Sequence, residues 1–392
     1  MDSQYQQRNT GDLSMDFDRE IDRTQSYSSK WLKYQGRDVL PLWVADMDFR
    51  SPQPVIDALH RRVEHGVFGY TKAPGELADV IVARMAEIYS WSIKPEDITF
   101  LPGVVSALNL VCGAYCSAAQ SALTALPIYP PFQSAPVNAG VGLSTCEAEL
   151  RDGRWSYPLE RMAQLFVSEN IGVFELCSPY NPLGRAFAAD ELTAIADLCC
   201  DHDVIICSDE IHCDLLFDGR RHVPTASLSE RIAQNCVTLM APSKTFNIAG
   251  LGGAFTIIQN PALRRRFRRQ MKGVVPDVNL LGYEAMLAAY RDGEEWYQSL
   301  IAYLQANRDF LYREINALPG ISMNQVEATF LAWLDVRSLE LEDPMTYFEE
   351  AGLGFSDGRD FGAPGYMRMN FGCPRSVLER ALERLDKAVR DR

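Results

Sequence analysis

The residues of this chain that could perform chemistry stand directly after short apolar runs. Lys244 follows "CVTLM", Asp209 follows "VIICS", and Tyr129 follows "SALTALPI". A lysine in such a place is either a surface charge or a nucleophile held inside a site, and a buried carboxylate needs a cationic or hydrogen-bonding partner. The pattern therefore indicates a polar site at the ends of buried segments.

Three further motifs could bind charged or polar groups of a ligand. In "FLPGVV", Val104 and Val105 follow a glycine turn at the start of a helical pattern, where free backbone N–H groups bind anions. Asn181 lies in the rigid turn "SPYNPLGR", where its amide either caps the turn or faces a ligand. Arg368 lies in the apolar segment "GYMRMNFGCP", where an arginine is costly without a carboxylate partner.

Two other interpretations of these motifs are less favoured. A metal site could use Asp209, His212 and Asp214, but no second His/Cys cluster stands nearby in sequence. The segment "GLGGAF" matches the first two glycines of a dinucleotide-binding loop, but Phe255 takes the place of the third, and no acidic residue follows at the usual distance. We reject the dinucleotide interpretation.

The elements that must position these residues alternate between two hydrophobic periods. The apolar runs have the length and composition of buried parallel strands, and segments between them, such as "AADELTAIADLCCDHD", have helical spacing. Strand, helix and strand in this order predict an α/β fold with a mostly parallel sheet sandwiched by helices. Ligands of such sheets bind beyond the carboxyl ends of the strands.

The pattern changes near residue 290 and predicts a second, smaller unit. A long helical stretch, "EEWYQSLIAYLQANRDFLYREINAL", leads to a strand-like "ATFLAWLD" and a last helix in "RSVLERALERLDKAVR". We predict a large domain over residues 51–289. Residues 1–50, an arm with little regular structure, and residues 290–392 would form an α+β small domain with it.

Composition limits the partners. The net charge of −14 argues against nucleic acid or an anionic membrane as the main partner, but it leaves anionic small molecules open. No apolar run approaches the roughly 20 residues that span a bilayer. The ten cysteines include no CxxC pair and predict buried free thiols, so the expected location is cytoplasmic.

One cofactor would use all of these parts together. Pyridoxal 5′-phosphate (PLP) needs a lysine, a carboxylate for its ring nitrogen and N–H donors for its phosphate, and an amino-acid substrate adds an arginine for its carboxylate. With "HGVFGYT", "PIYPPF", "SDEIHCDL" and "APSKTFNIAGL" in this order, the chain resembles the fold-type I PLP enzymes of the class I/II aminotransferase group. More narrowly, it resembles the cystathionine β-lyase-like C–S lyase branch.

The resemblance implies a role for each motif residue. Lys244 is the Schiff-base lysine and proton shuttle, Asp209 pairs with the ring nitrogen, and Tyr129 stacks on the ring. Arg368 would hold the carboxylate of a small amino-acid substrate. The remaining cofactor-binding residues are Asn181 at the phenolic oxygen, His212 beside the ring, Val104, Val105 and Ser243 at the phosphate, and Tyr70 at the phosphate of a neighbouring subunit, which implies a homodimer with shared sites.

Two departures from the group bear on the reaction. Many aminotransferases of the group have an arginine where this chain has Gly252, and the lyase branch commonly lacks it; Tyr180 stands where that branch often has histidine. The resemblance favours α,β-elimination of L-cysteine S-conjugates over transamination, which would use the same lysine. A PLP-fold regulator without turnover is disfavoured, because the first 50 residues contain no basic helix-turn-helix segment.

Overall fold

The computed structural model describes residues 15–391. The beginning of the predicted arm, residues 1–14, lies outside the described residues. The strands are, in chain order, β1 (Leu40–Pro41), β2 (Ile98–Leu101), β3 (Ser121–Leu126), β4 (Gly142–Glu147), β5 (Glu149–Arg151), β6 (Arg154–Ser156), β7 (Ile171–Cys177), β8 (Ile205–Asp209), β9 (Cys236–Met240), β10 (Ala254–Ile257), β11 (Ser322–Met323), β12 (Leu331–Asp335), β13 (Leu353–Gly354), β14 (Ser356–Asp357) and β15 (Tyr366–Asn370).

The helices alternate with the strands of the first two thirds of the chain and then become longer. They are α1 (Ser29–Leu32), α2 (Gln53–Glu64), α3 (Gly75–Tyr89), α4 (Val104–Tyr115), α5 (Pro131–Asn138), α6 (Leu159–Ser168), α7 (Ala189–Asp201), α8 (Glu230–Ala233), α9 (Pro261–Met271), α10 (Leu280–Asp292), α11 (Glu294–Asn316), α12 (Pro344–Glu350) and α13 (Arg375–Arg390).

A seven-stranded sheet in the order β2-β10-β9-β8-β7-β3-β4 forms the centre of the fold. All neighbours from β9 to β4 pair in parallel, whereas β10 is antiparallel to both of its neighbours. Every residue of β7 and of β9 is buried, as expected for strands covered on both faces. The predicted α/β fold with a mostly parallel sheet is confirmed; β10 was not predicted.

A four-stranded antiparallel sheet, in the order β11-β12-β15-β14, lies in the C-terminal part of the chain. The apolar core around it combines side chains of α11 and α13 with Phe17 and Leu42 of the arm. The same core also includes Phe246 and Ala285, which precede residue 290. The division at residue 290 therefore stays a prediction about domains, while the arm packs with the C-terminal unit.

Amphipathic spacing explains most of the helices. Val55 of the predicted α2 face is buried, but Val63 on the same face is half exposed near the end of the helix. The chain leaves α2 through Gly66, whose φ of 75° is in the left-handed region. No helix within residues 15–391 is both long enough and apolar enough to cross a membrane.

Candidate active site

The carboxyl ends of four neighbouring strands bring the predicted polar residues to one edge of the large sheet. Asp209 ends β8, Lys244 follows β9, Asn181 follows β7, and Tyr129 follows β3. Because these strands are parallel, their carboxyl ends meet on the same side, and loops of different sequence position become neighbours there.

A cavity of about 250 Å³ opens at this edge. Of the ten predicted site residues, eight line it: Val104, Val105, Tyr129, Asn181, Asp209, His212, Ser243 and Lys244. Arg368 adjoins the cavity, because its Nη1 donates a hydrogen bond to Oδ1 of Asn181 at 3.0 Å. Tyr70 is fully exposed in the segment between α2 and α3, and it lines none of this cavity.

Asp209 is a buried carboxylate without a cation in contact. Its Oδ1 accepts a hydrogen bond from the backbone N–H of Ile211 at 3.1 Å. Burial, and to a smaller extent the adjacent Glu210, raise the pKa of Asp209 to about 7, against the opposing effects of this hydrogen bond and of the charge of Lys244. A ligand cation near Asp209 would restore its charged form, because opposite charge lowers the pKa of a carboxylate.

Lys244 is half-buried, and its amine has a main-chain acceptor. Its Nζ donates a hydrogen bond to the carbonyl oxygen of Ala45 at 2.6 Å. Burial lowers the pKa of Lys244 to about 8, with a further lowering by the positive charge of Arg368; Asp46 and Asp209 act in the opposite direction. A substantial share of the amine is therefore neutral near physiological pH, as a nucleophile or base requires.

His212 and Arg368 complete the polar side of the site. Burial, and after it the charge of Lys244, lower the pKa of His212 to about 3, so that this imidazole is neutral. Its ring lies at 73° to that of Phe330, with 6.2 Å between centroids. Burial also lowers the pKa of Arg368, to about 10, which leaves the guanidinium charged at neutral pH.

The helix start predicted to bind an anion is open. Helix α4 begins at Val104 after an extended Gly103, and no side chain of the described residues caps it. The first N–H groups of a helix have no partner within the helix, so they can donate to an anion. Gly252 stands where many aminotransferases of the group have an arginine. Its φ is 61°, and a Cβ at this position would contact the carbonyl oxygen of Pro102 at 3.4 Å.

These features fit PLP. Asp209 is a buried acceptor that lacks a cation, the start of α4 offers N–H donors, and Lys244 supplies an amine. Within the part of the chain that the structure describes, Nδ1 of His212 and Nε of Arg368 are buried without a hydrogen-bond partner. Buried polar atoms are normally paired, so these orphaned atoms point to a polar ligand.

Two residues discussed from the sequence lie outside the cavity. Asp214 is bound by Arg84, Tyr89 and Thr245, so that it does not converge with Asp209 and His212 on a metal. Tyr180 is fully buried in the core, where its hydroxyl donates to the carbonyl oxygen of Ala125 at 2.6 Å. Tyr180 is adjacent in sequence to Asn181, which lines the cavity.

Ala45 is a site residue that the sequence reasoning missed. Its contribution is a main-chain carbonyl, which no side-chain pattern reveals. It lies in the segment "LPLWVADMDF", whose composition gives no indication of a contact with Lys244.

The fold and the site define a class of protein. A mostly parallel sheet, whose carboxyl edge carries a lysine and a buried carboxylate in one cavity, is the arrangement of the fold-type I PLP enzymes. The family model "Aminotransferase class I and II" matches residues 37–385, and the chain belongs to this family.

Three known proteins are similar over almost the whole chain. The cystathionine beta-lyase PatB of Bacillus subtilis (strain 168) is 34% identical over 389 residues, which cover 96% of this chain and 100% of PatB. The crystal structure of OvoB is 48% identical with a TM-score of 0.93 and covers 95% of this chain and 98% of OvoB. Cystalysin from Treponema denticola, a structure that contains PLP, is 32% identical with a TM-score of 0.91 and covers 96% and 99%.

Proposed function

We propose that this chain is a PLP-dependent C–S β-lyase that cleaves L-cysteine S-conjugates to a thiol, pyruvate and ammonia. The observation that carries the proposal is the presence of the half-buried Lys244 and the buried Asp209, both with shifted pKa values, in one cavity at the carboxyl edge of the sheet. Residues with perturbed pKa values in a cleft are candidates for chemistry. PatB, named as a cystathionine beta-lyase, supports the choice of reaction.

In this proposal the cofactor is held by residues from several strand ends. Lys244 bonds to it covalently, Asp209 pairs with its ring nitrogen, and Asn181 donates to its phenolic oxygen. Its phosphate is bound by Ser243 and by the N–H groups of Val104 and Val105, while Tyr129 and His212 lie against the ring. When bound, PLP supplies an electron sink that stabilises negative charge on the substrate's Cα.

The chain's own residues bind the substrate and move a proton. Arg368 holds the α-carboxylate with its guanidinium fork, which fixes the orientation of the Cα–H bond. The amino group of the substrate would first displace Lys244 from the cofactor. The freed amine of Lys244 would then take the Cα proton, because its pKa of about 8 leaves it partly unprotonated. The Cβ–S bond breaks with its electron pair on sulfur, and hydrolysis of the remaining fragment by one water gives pyruvate and ammonia.

The leaving group requires little help from an acid. A thiol has a pKa near 8.5, so its thiolate is a far better leaving group at neutral pH than an alkoxide would be. His212, held neutral by burial, and Tyr129, whose pKa is raised by burial, do not need to donate a proton for the bond to break. A cavity of this kind therefore suits sulfur-linked substrates.

The rival function is transamination, which would use the same lysine and the same arginine. The experiment is to incubate the purified protein with L-cystathionine or S-methyl-L-cysteine without any keto acid. Continuous release of thiol and pyruvate over many turnovers is expected. A single stoichiometric turnover that leaves the cofactor as pyridoxamine phosphate would assign the protein to transamination instead.

We also propose a homodimer with shared active sites. Val67, Phe68 and Tyr70 are exposed between α2 and α3, and Val105 is partly exposed where it lines the cavity. Exposed apolar side chains of this size favour a protein partner, and a second copy would let Tyr70 reach the partner's phosphate site. A cytoplasmic location is proposed as well, because all ten cysteines are free thiols, as a reducing compartment requires.

A further inference from the structure

A short segment of main chain contacts the amine of Lys244. We call residues 43–49 the strap. Its Ala45 carbonyl accepts the hydrogen bond from Nζ of Lys244 at 2.6 Å, and the carbonyl of Trp43 accepts one from Nη2 of Arg368 at 2.8 Å. The strap thus contacts both of the cationic side chains that the proposed reaction uses.

Two asparagines bind the main chain of the strap. The amide of Asn247 accepts from the N–H of Met47 at 3.0 Å and donates to the carbonyls of Met47 and Phe49 at 2.9 and 2.8 Å. The amide of Asn370 donates to the carbonyls of Val44 and Asp46 at 2.5 and 2.7 Å. These contacts attach the strap to the loop after Lys244 and to the end of β15.

Four charged side chains attach the strap to the earlier part of the arm. Nη1 of Arg23 contacts Oδ1 of Asp48 at 2.6 Å, and its Nη2 contacts Oδ2 of Asp46 at 2.8 Å. Nζ of Lys30 donates to Oδ2 of Asp48 at 2.6 Å and to the carbonyl of Asp46 at 3.3 Å. Two cations thus face two carboxylates, and we call these four residues the arm cluster.

The arm cluster lies at the edge of the interior, and its members Arg23 and Asp46 are partly exposed. Lys30 is fully buried and Asp48 nearly so. Burial alone would raise the pKa of Asp48, but Lys30 and Arg23 outweigh it and hold this pKa below its usual range. Loss of one partner would leave an uncompensated charge in the interior, which is strongly unfavourable. The cluster therefore holds Asp46 and Asp48 in defined positions.

We propose that Arg23 is a positioning residue, which clamps Asp46 and Asp48 so that the strap holds the Ala45 carbonyl against the amine of Lys244. This inference rests on the proposed function only for the role of Lys244 in proton transfer. The clamp fixes where the amine lies and shields it from solvent on this side. Arg23 itself contacts neither the cavity nor Lys244.

The charged groups around Lys244 determine how loss of the clamp changes the pKa of its amine. The charged groups that act on its amine are Asp46 of the strap, Asp209 of β8 and Arg368 of β15, and the neutral His212 and Tyr129 line the same cavity. Without Arg23, the negative charge of Asp46 is less compensated, and it stabilises the ammonium form. Removing Arg23 therefore raises the pKa of Lys244, and a released strap also exposes the amine.

The experiment compares Arg23→Gln with two other arm and loop variants in the full chain. The matched control is Arg380→Gln, which also breaks an arm contact, the exposed pair of Arg380 with Glu20, but touches no part of the strap. The second test variant is Asn247→Gly, which removes the amide clamp without any change of charge. Asn247 has a φ of 55°, so that glycine fits its backbone.

Two readouts separate this inference from the proposed function. In the cofactor-free chain, acetic anhydride labelling at several pH values, followed by peptide mass spectrometry, gives the pKa of Lys244 and its limiting labelling rate. In the holoenzyme, kcat is measured over a range of pH, and the pH at which kcat falls on the acid side reports the pKa of Lys244. If the protein proves not to be a lyase, the labelling result still tests the clamp.

We expect Arg23→Gln to raise the pKa of Lys244 and so to lower the neutral fraction of its amine at pH 8; a rise of about one unit would lower this fraction about fivefold. Its limiting labelling rate should also rise severalfold. Asn247→Gly should raise only the limiting labelling rate of Lys244. Arg23→Lys should restore the pKa of Lys244, because it keeps the positive charge. Arg380→Gln should match the unmodified chain in both the pKa and the rate. Unchanged labelling of Lys244 in the Arg23→Gln protein would overturn the clamp, and so would an equal change of labelling in Arg380→Gln. If Arg23→Gln does not fold, an unchanged limiting labelling rate in Asn247→Gly would overturn it.

Discussion

Replacing Arg368 by alanine is expected to lower kcat/KM for an L-cysteine S-conjugate by about two to four powers of ten. A guanidinium fork donates two charge-assisted hydrogen bonds to a carboxylate, and each contributes about 1.5–3 kcal/mol. Their loss costs about 3–6 kcal/mol, at about 1.36 kcal/mol for each tenfold change. Both KM and kcat should change, because the carboxylate also orients the Cα–H bond.

The same variant should move the acid limb of the pH profile. Lys244 takes a proton only when it is neutral, so activity falls as the pH drops below its pKa. Burial lowers this pKa first, and the charge of Arg368 lowers it further. Removing Arg368 raises the pKa of Lys244, and the acid limb of kcat should therefore move to higher pH.

Arg368→Lys provides the matched control, because it keeps the charge but loses the fork. We expect a reduced kcat/KM with an acid limb close to that of the unmodified enzyme. The assay is pyruvate formation, coupled to lactate dehydrogenase, over a range of pH. Arg368 touches Asn181, the Trp43 carbonyl and Ser356, so cofactor absorbance and thermal unfolding must show that each variant is loaded and folded. A kcat/KM within tenfold of the original, or an acid limb that moves equally in both variants, would refute the assignment.

The other predictions concern the cofactor, the dimer and the core. Lys244→Ala should abolish turnover and leave no cofactor that borohydride can fix to the chain; retained activity rejects the site. Asp209→Asn should lower kcat about 10- to 150-fold through one lost charge-assisted hydrogen bond, measured by thiol release. Mixing inactive Tyr70→Ala and Lys244→Ala proteins should restore activity in hybrids, whereas fully inactive hybrids contradict shared sites. Tyr180→Phe should lower the free energy of unfolding by about 1–3 kcal/mol in urea titrations, because it leaves the Ala125 carbonyl unpaired.

The strand ends could be predicted because strands that are buried on both faces are mostly apolar, and this composition is visible in the sequence. β7 and β9 are fully buried and mostly apolar, although β7 contains Glu175, and the polar residues that follow them indicated a site. The partners of those residues could not be predicted in the same way. The order of the strands and the antiparallel direction of β10 depend on pairing between distant segments, which the local hydrophobic periodicity does not indicate.

Contacts made by main chain escaped prediction for a different reason. The strap offers carbonyl groups to Lys244 and Arg368, and every residue type carries a carbonyl. Arg23 and Lys30 were equally hidden, because a basic residue in a polar arm has the composition of a solvent-exposed segment. Tyr180 illustrates the reverse error, since a residue next to a site residue can point into the core.

The strap also sets the order in which the site can be completed during synthesis. Its main chain is held by Asn370, which lies 326 residues after Val44, and β1 beside it pairs with β13. At about 5–20 residues per second, a ribosome needs roughly 16 to 65 s to travel that distance. The strand ends that carry Asp209 and Lys244 emerge well before this, so a nascent chain presents an open cavity that its own first residues cannot yet cover. About 126 residues separate Lys244 from Asn370, so this open interval lasts roughly 6 to 25 s, which is about a third of the translation of the 392 residues.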